Sequence, residues 1–213
     1  MTREVAGQLF GVSGKTAGIE FDTWMLAIVA YKRTRFGYPS TKQSRRSCPT
    51  RIARNYDSRN VTWFLDASEL IAQVASDQTT ANTMWSSYKS RHTVKLLGAL
   101  HISGAMLYTS AGYPGGITDF DVTKVSGFLD ILQPDDIVVA DKGFLVFALI
   151  AKAGAKLVIP PKRKAGQAQL SASQCLTNAV IARTRIHVER AFRHIKTYRY
   201  FNASVDIKSL DMF

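Results

Sequence analysis

Three acidic residues stand where they could do chemistry together. Asp66 closes the apolar run Val61-Thr62-Trp63-Phe64-Leu65, and Asp141 closes Ile137-Val138-Val139-Ala140. Glu189 lies in the basic segment Arg185-Ile186-His187-Val188-Glu189-Arg190-Ala191-Phe192-Arg193. Two aspartates at strand ends and a glutamate on a later helix could hold two divalent cations against a phosphodiester. Such chemistry needs hard oxygen ligands on rigid elements, because both the attacking and the leaving oxygen must be stabilised. Each acid also has a plain structural explanation. Strands often stop at Asp because Asp begins turns, and an Arg185–Glu189 pair four residues apart stabilises a helix by a few tenths of a kcal/mol. Their order and surroundings favour the joint reading.

The elements that must carry these acids can be read from the pattern of apolar residues. Runs of β-formers at 61–65, 93–100 and 105–109 predict three strands. A helical stretch follows at 121–132, with Val122, Val125, Phe128, Leu129 and Leu132 on one face. Next come strand 136–140, a helix near 144–152 and strand 155–159, and a long helix over 171–197 closes the core. Ile181, Val188, Phe192 and Ile195 form its apolar face, and Glu189 falls at the margin. Three strands, then strand–helix alternation, then a closing helix is the element order of a ribonuclease-H-like α/β fold: a mixed sheet flanked by helices. In that order the first and fourth strands are neighbours, which brings Asp66 and Asp141 to one crevice.

Residues 1–33 predict two helices around Gly11-Val12-Ser13-Gly14, the outline of a small helix-turn-helix or of a helical hairpin that only packs. Residues 34–60, with Lys42-Gln43-Ser44-Arg45-Arg46, predict a basic linker, and 61–213 the catalytic domain. Twenty-eight Lys+Arg against 16 Asp+Glu give a net charge of +12, which favours a polyanionic partner, most simply nucleic acid. Two distant cysteines, Cys48 and Cys175, support neither a zinc site nor a disulfide framework. No run has the length of a membrane span and no signal-peptide core opens the chain, so the expectation is a soluble protein with no membrane partner.

Four stretches carry a family resemblance. Trp85-Ser86-Ser87-Tyr88-Lys89-Ser90-Arg91-His92-Thr93-Val94-Lys95 resembles the W-S-x-Y-K-x-x-x-T-x-K stretch of DDE-type transposases of the Harbinger (PIF) kind. Gly115-Gly116-Ile117-Thr118-Asp119 is similar to their G-G-x-x-S-D turn, Ala140-Asp141-Lys142-Gly143-Phe144 to A-D-[RK]-G-F, and Arg185-Ile186-His187-Val188-Glu189-Arg190 to R-x-H-V-E-R. Leu9-Phe10-Gly11-Val12-Ser13 is similar to the family's helix-turn-helix. After the first aspartate the family tends to carry D-C-T-E, whereas Asp66-Ala67-Ser68-Glu69 stands here.

The resemblance implies a divalent-metal-dependent endonuclease that hydrolyses and transfers strands at transposon ends. The catalytic residues would be Asp66, Asp141 and Glu189, which would also bind two Mg²⁺, with Mn²⁺ tolerated and Asp119 a further candidate ligand. Lys89, Lys142, Arg185, Arg190, Arg193 and Lys196 are candidate contacts to double-stranded DNA; solvated surface charge is the alternative for each. A separate DNA-binding partner subunit, a homo-oligomer on DNA and nuclear residence in a eukaryotic source complete the expectation. The chain begins almost inside its first helix and stops soon after its last, as a truncated copy would. The rival functions are a retired transposase that only binds DNA, and a basic structural protein with no nucleic-acid contact.

Overall fold

The computed structural model describes residues 2–35, 37–48, 61–163, 166, 168–198, 201, 204 and 205. Residues 49–60 of the expected linker and the last residues of the expected catalytic domain lie outside the described ones. The chain divides into two compact units, one through Tyr38 and one from Pro39.

The first unit is two helices, α1 (Arg3–Phe10) and α2 (Gly14–Arg35). Thr2 caps α1 by accepting from the Val5 N–H, and Gly11 ends it at φ +68°, a left-handed conformation that glycine adopts without strain. Ser13 Oγ then accepts from the Thr16 N–H to start α2. The turn expected at residues 11–14 is therefore present. On α2, Ile19, Phe21, Trp24, Leu26 and Ile28 are exposed.

In the second unit, seven described strands form one curled mixed sheet. The central strand β1 (Val61–Ile71) pairs antiparallel with β3 (Arg91–His101) and parallel with β6 (Ile137–Val139); β7 (Lys156–Val158) adds in parallel beyond β6. On its other edge β3 takes β2 (Trp85–Ser86), β4 (Met106–Thr109) and β5 (Tyr113–Pro114) in turn, all antiparallel. Irregular register at Val61/Trp63 and at Ala99/Leu100 bends the sheet.

Both faces of the sheet are covered. One carries Trp63, Leu65, Leu97 and Ala99 against Phe128, Val138, Phe144 and Ile150. The other carries Val61, Phe64, Leu100 and Val139 against Ile181, Val188 and Phe192 of the long helix α7 (Ala172–Thr197). Between β1 and α7 in sequence come α4 (Gln78–Met84), α5 (Asp119–Val125) and α6 (Phe147–Lys152). A capping box starts α7: the Gln174 N–H donates to Ser171 Oγ and the Ser171 N–H to Gln174 Oε1. No helix among the described residues is long and apolar enough to cross a membrane.

Three expectations are revised. β1 does not stop at Asp66, because its ladder with β3 continues to Ile71↔Thr93. The helix expected over 121–132 is two pieces, α5 and a 3₁₀ turn at Phe128–Ile131, separated by Gly127 at φ +84°. Part of the expected linker is a helix, α3 (Thr41–Ser47), with its own capping box from Ser40 and Gln43. Ser44 on α3 shares a 2.8 Å hydrogen bond with His101 Nε2, which ties the helix to β3.

Candidate active site

Asp66 pairs with Gly98 across the β1–β3 ladder, and directly opposed residues share a face. That face is the one Phe64 and Leu100 present to α7. A Cβ at Gly98 would lie 2.4 Å from Phe192 Cζ. Glycine thus lets the Phe192 ring press onto the backbone opposite Asp66, and α7 sits close over the sheet. Glu189 is one turn earlier on that helix. Asp141 follows β6, which lies beside β1, and its carboxylate accepts from the Lys142 N–H.

Arg185 pairs with two of the three acids. Its guanidinium reaches Asp141 Oδ1 at 3.1 Å and Glu189 Oε1 at 3.3 Å, and it is only 22% exposed where its partners are 45% and 56% exposed. Asp66 feels all three groups. Its pKa is raised from 3.8 to about 6, first by burial, against the lowering effects of Arg185 and the Ala67 N–H, with Asp141 and Glu189 adding to the rise. Removing the guanidinium deletes one of the influences that hold Asp66 down. Arg185→Gln is therefore expected to move Asp66 above its present value of about 6, read by carboxyl-carbon NMR across pH. An unchanged titration would mean that Arg185 does not act on Asp66.

Lys196, two turns beyond Glu189, brings a second cation. Burial depresses its ammonium, Lys89 depresses it further, and Asp66 and Glu69 oppose both. Lys89 itself lies 4.7 Å from the centre of the exposed Tyr88 ring. Lys196 and Arg185 therefore lie within electrostatic reach of Asp66, and Lys89 within reach of Lys196. Arg190 and Arg193 are exposed on α7, and Lys142 follows Asp141 directly.

Asp119 belongs to a different group. Lys95 Nζ donates to the Ile117 carbonyl at 2.7 Å and to Asp119 Oδ1 at 3.3 Å, and lies 3.8 Å from Glu69 Oε1. The Thr93 hydroxyl donates to Glu69 Oε2 at 2.9 Å. Asp119 is the first residue of α5, behind the Thr118 cap. Gly115 makes the approach possible, since a Cβ there would fall 2.0 Å from Thr93 Oγ1. The Gly-Gly turn and its aspartate are thus fastened to β3 through Lys95. Glu69 and Lys95 were not among the expected site residues; only pairing across the sheet reveals their partnership.

Three carboxylates supply the hard oxygen donors that Mg²⁺ takes, so the chemistry of the donor set fits a divalent cation. Among the described residues no three acids or imidazoles approach closely enough to surround one ion. Arg185 bridges Asp141 and Glu189, one positive charge shared between two carboxylates.

The second unit is thus a mixed α/β protein in which Asp66 on β1, Asp141 just past β6 and Glu189 on α7 lie within electrostatic reach of one arginine. Residues 65–212 match the family model described as DDE superfamily endonuclease, and the chain belongs to that family. Membership points to a transposase-type nuclease with DNA as its substrate. No curated protein and no solved structure matches the chain.

Proposed function

We propose that the chain is a divalent-metal-dependent DNA endonuclease of the Harbinger transposase kind, with a ribonuclease-H-like core. It would cut phosphodiesters at element ends and join the strands. The observation that carries this reading is the mutual electrostatic reach of Asp66, Asp141 and Glu189 around Arg185.

Asp66, Asp141 and Glu189 would hold Mg²⁺, two ions in all, and Mn²⁺ in its place. The metal supplies Lewis acidity at the attacking and departing oxygens. The chain's own residues do the rest. Asp66, the most enclosed of the three, fixes the donor set to the central strand. Arg185 presents a planar fork of donors that matches a phosphate as well as a carboxylate, so it can exchange one for the other when the scissile group arrives. Lys89 and Lys196 hold the flanking backbone, with Lys142, Arg190 and Arg193 further along its path. Asp119 serves by anchoring its turn to Lys95. The two-helix unit at the N-terminus is a helix-turn-helix that binds the duplex, and the enzyme works as a homo-oligomer on DNA, with a partner subunit for end recognition.

Nicking of supercoiled plasmid tests this. With Mg²⁺ or Mn²⁺ the chain is expected to convert supercoiled to open-circular DNA, and Asp141→Ala is expected to abolish the conversion. A folded protein that binds DNA without cutting it would instead be a retired transposase.

A further inference from the structure

Asp141 borders a cavity whose far side the chemistry above leaves unused. Its volume is about 650 Å³, inside the range of about 300–1,000 Å³ found for small-molecule sites. Asp141 and Arg185 stand on its active-site side, with Lys142 and Arg163 as further cations. Pro160, Pro161, Leu170 and Ala182 supply apolar wall. Asn178, two turns before Arg185 on α7, also lines it. The Asn178 Oδ1 is buried and has no hydrogen-bond partner among the described residues. A buried acceptor left without a donor is destabilising, so a group that donates to it would be bound in return.

From these features we infer that the cavity receives one unstacked nucleotide of the DNA substrate, next to the phosphate held at the carboxylates. This rests on the DNA-cutting reading. Three properties of the cavity point to a nucleotide. Its cations suit the backbone that must pass Asp141 to enter. Its apolar wall of prolines and leucine suits the face of a base, which has left the stack to reach it. A carboxamide can both accept from and donate to a base edge, which a carboxylate or an ammonium cannot. Stacked duplex cannot fill a recess beside the sheet; a flipped nucleotide can.

The experiment uses oligonucleotide duplexes, one fully paired and one carrying a single unpaired 2-aminopurine, whose emission is quenched by stacking. Among the described residues no aromatic side chain lines the cavity, so entry relieves the quenching. Binding of the full chain should raise the emission several-fold and favour the unpaired duplex by about tenfold, the effect of one well-made contact. Asn178→Leu removes the unpartnered carboxamide oxygen, and Ala182→Trp fills the recess from an exposed helix position. Both should abolish the rise and the preference while leaving affinity for paired DNA unchanged. Equal binding of the two duplexes with no rise in emission overturns the nucleotide pocket and leaves the DNA reading standing. Failure to bind either duplex overturns the DNA reading and the pocket with it.

Discussion

Asp66→Asn is expected to lose metal-dependent nicking by about a thousandfold and, in the same protein, to gain stability at neutral pH. The loss follows from removing a charged ligand: Lewis-acid stabilisation is worth several kcal/mol, and each 1.36 kcal/mol is tenfold in rate. The gain follows from the burial that raises the Asp66 pKa to about 6. Between about 4 and 6 the folded chain binds a proton that the unfolded chain has released. The contribution of Asp66 to stability is therefore intact below its unfolded pKa of 3.8 and is lost as pH rises through about 6. Above that pH an ionised carboxylate sits at a site that prefers a neutral one, at a cost on the order of 1–3 kcal/mol. Asparagine keeps the shape and carries no charge. Urea unfolding should show the variant more stable than the wild type at pH 7 and equal to it at pH 4. Added Mg²⁺ should stabilise the wild type and leave the variant unmoved. Wild-type stability that climbs across this window would refute the assignment.

The local parts of this site were legible in the sequence, and the non-local parts were not. Asp141 was readable because a strand end and a Gly-containing turn announce themselves within a few residues. The seam of α7 was readable because Ile181, Val188 and Phe192 keep helical spacing, and the structure buries all three. The Arg185–Glu189 pair was visible as a four-residue spacing, yet the reach of Arg185 to Asp141 crosses elements and has no signature in either segment. Asp66 seemed to end a strand because the apolar run ends there. The strand continues because β3 offers partners as far as Thr93, with Ser68 opposite Leu96 and Glu69 opposite Lys95. Lys95 stood in a recognisable motif, but its role depends on Glu69 and Asp119, brought together by sheet pairing and a glycine turn. The short helix α3 carried a capping-box signal, Ser40 followed three residues later by Gln43, that its basic composition masked.

Gly98→Ala should cost activity about a hundredfold, although Gly98 touches no substrate. The new Cβ would stand 2.4 Å from Phe192 Cζ, a separation no pair of carbons sustains. The ring cannot simply turn aside, because Phe192 is packed with Phe64, Leu100 and Val188 in the same core. The cheapest relief is for α7 to lift from the sheet, and Glu189 and Arg185 ride on that helix. Overpacking of this kind costs about 1–3 kcal/mol of stability. A shift of about 1 Å in a positioned group can cost about a hundredfold in rate, so nicking should fall further than the folded fraction does. Phe192→Leu removes the ring carbon that clashes and should rescue part of both losses. The two substitutions are then non-additive, with the double variant more active and more stable than Gly98→Ala alone. Additive penalties in urea unfolding and in nicking would show that the Gly98–Phe192 contact does not set the height of α7. If the penalties couple, a missing side chain opposite Asp66 is what holds the glutamate within reach of the aspartates.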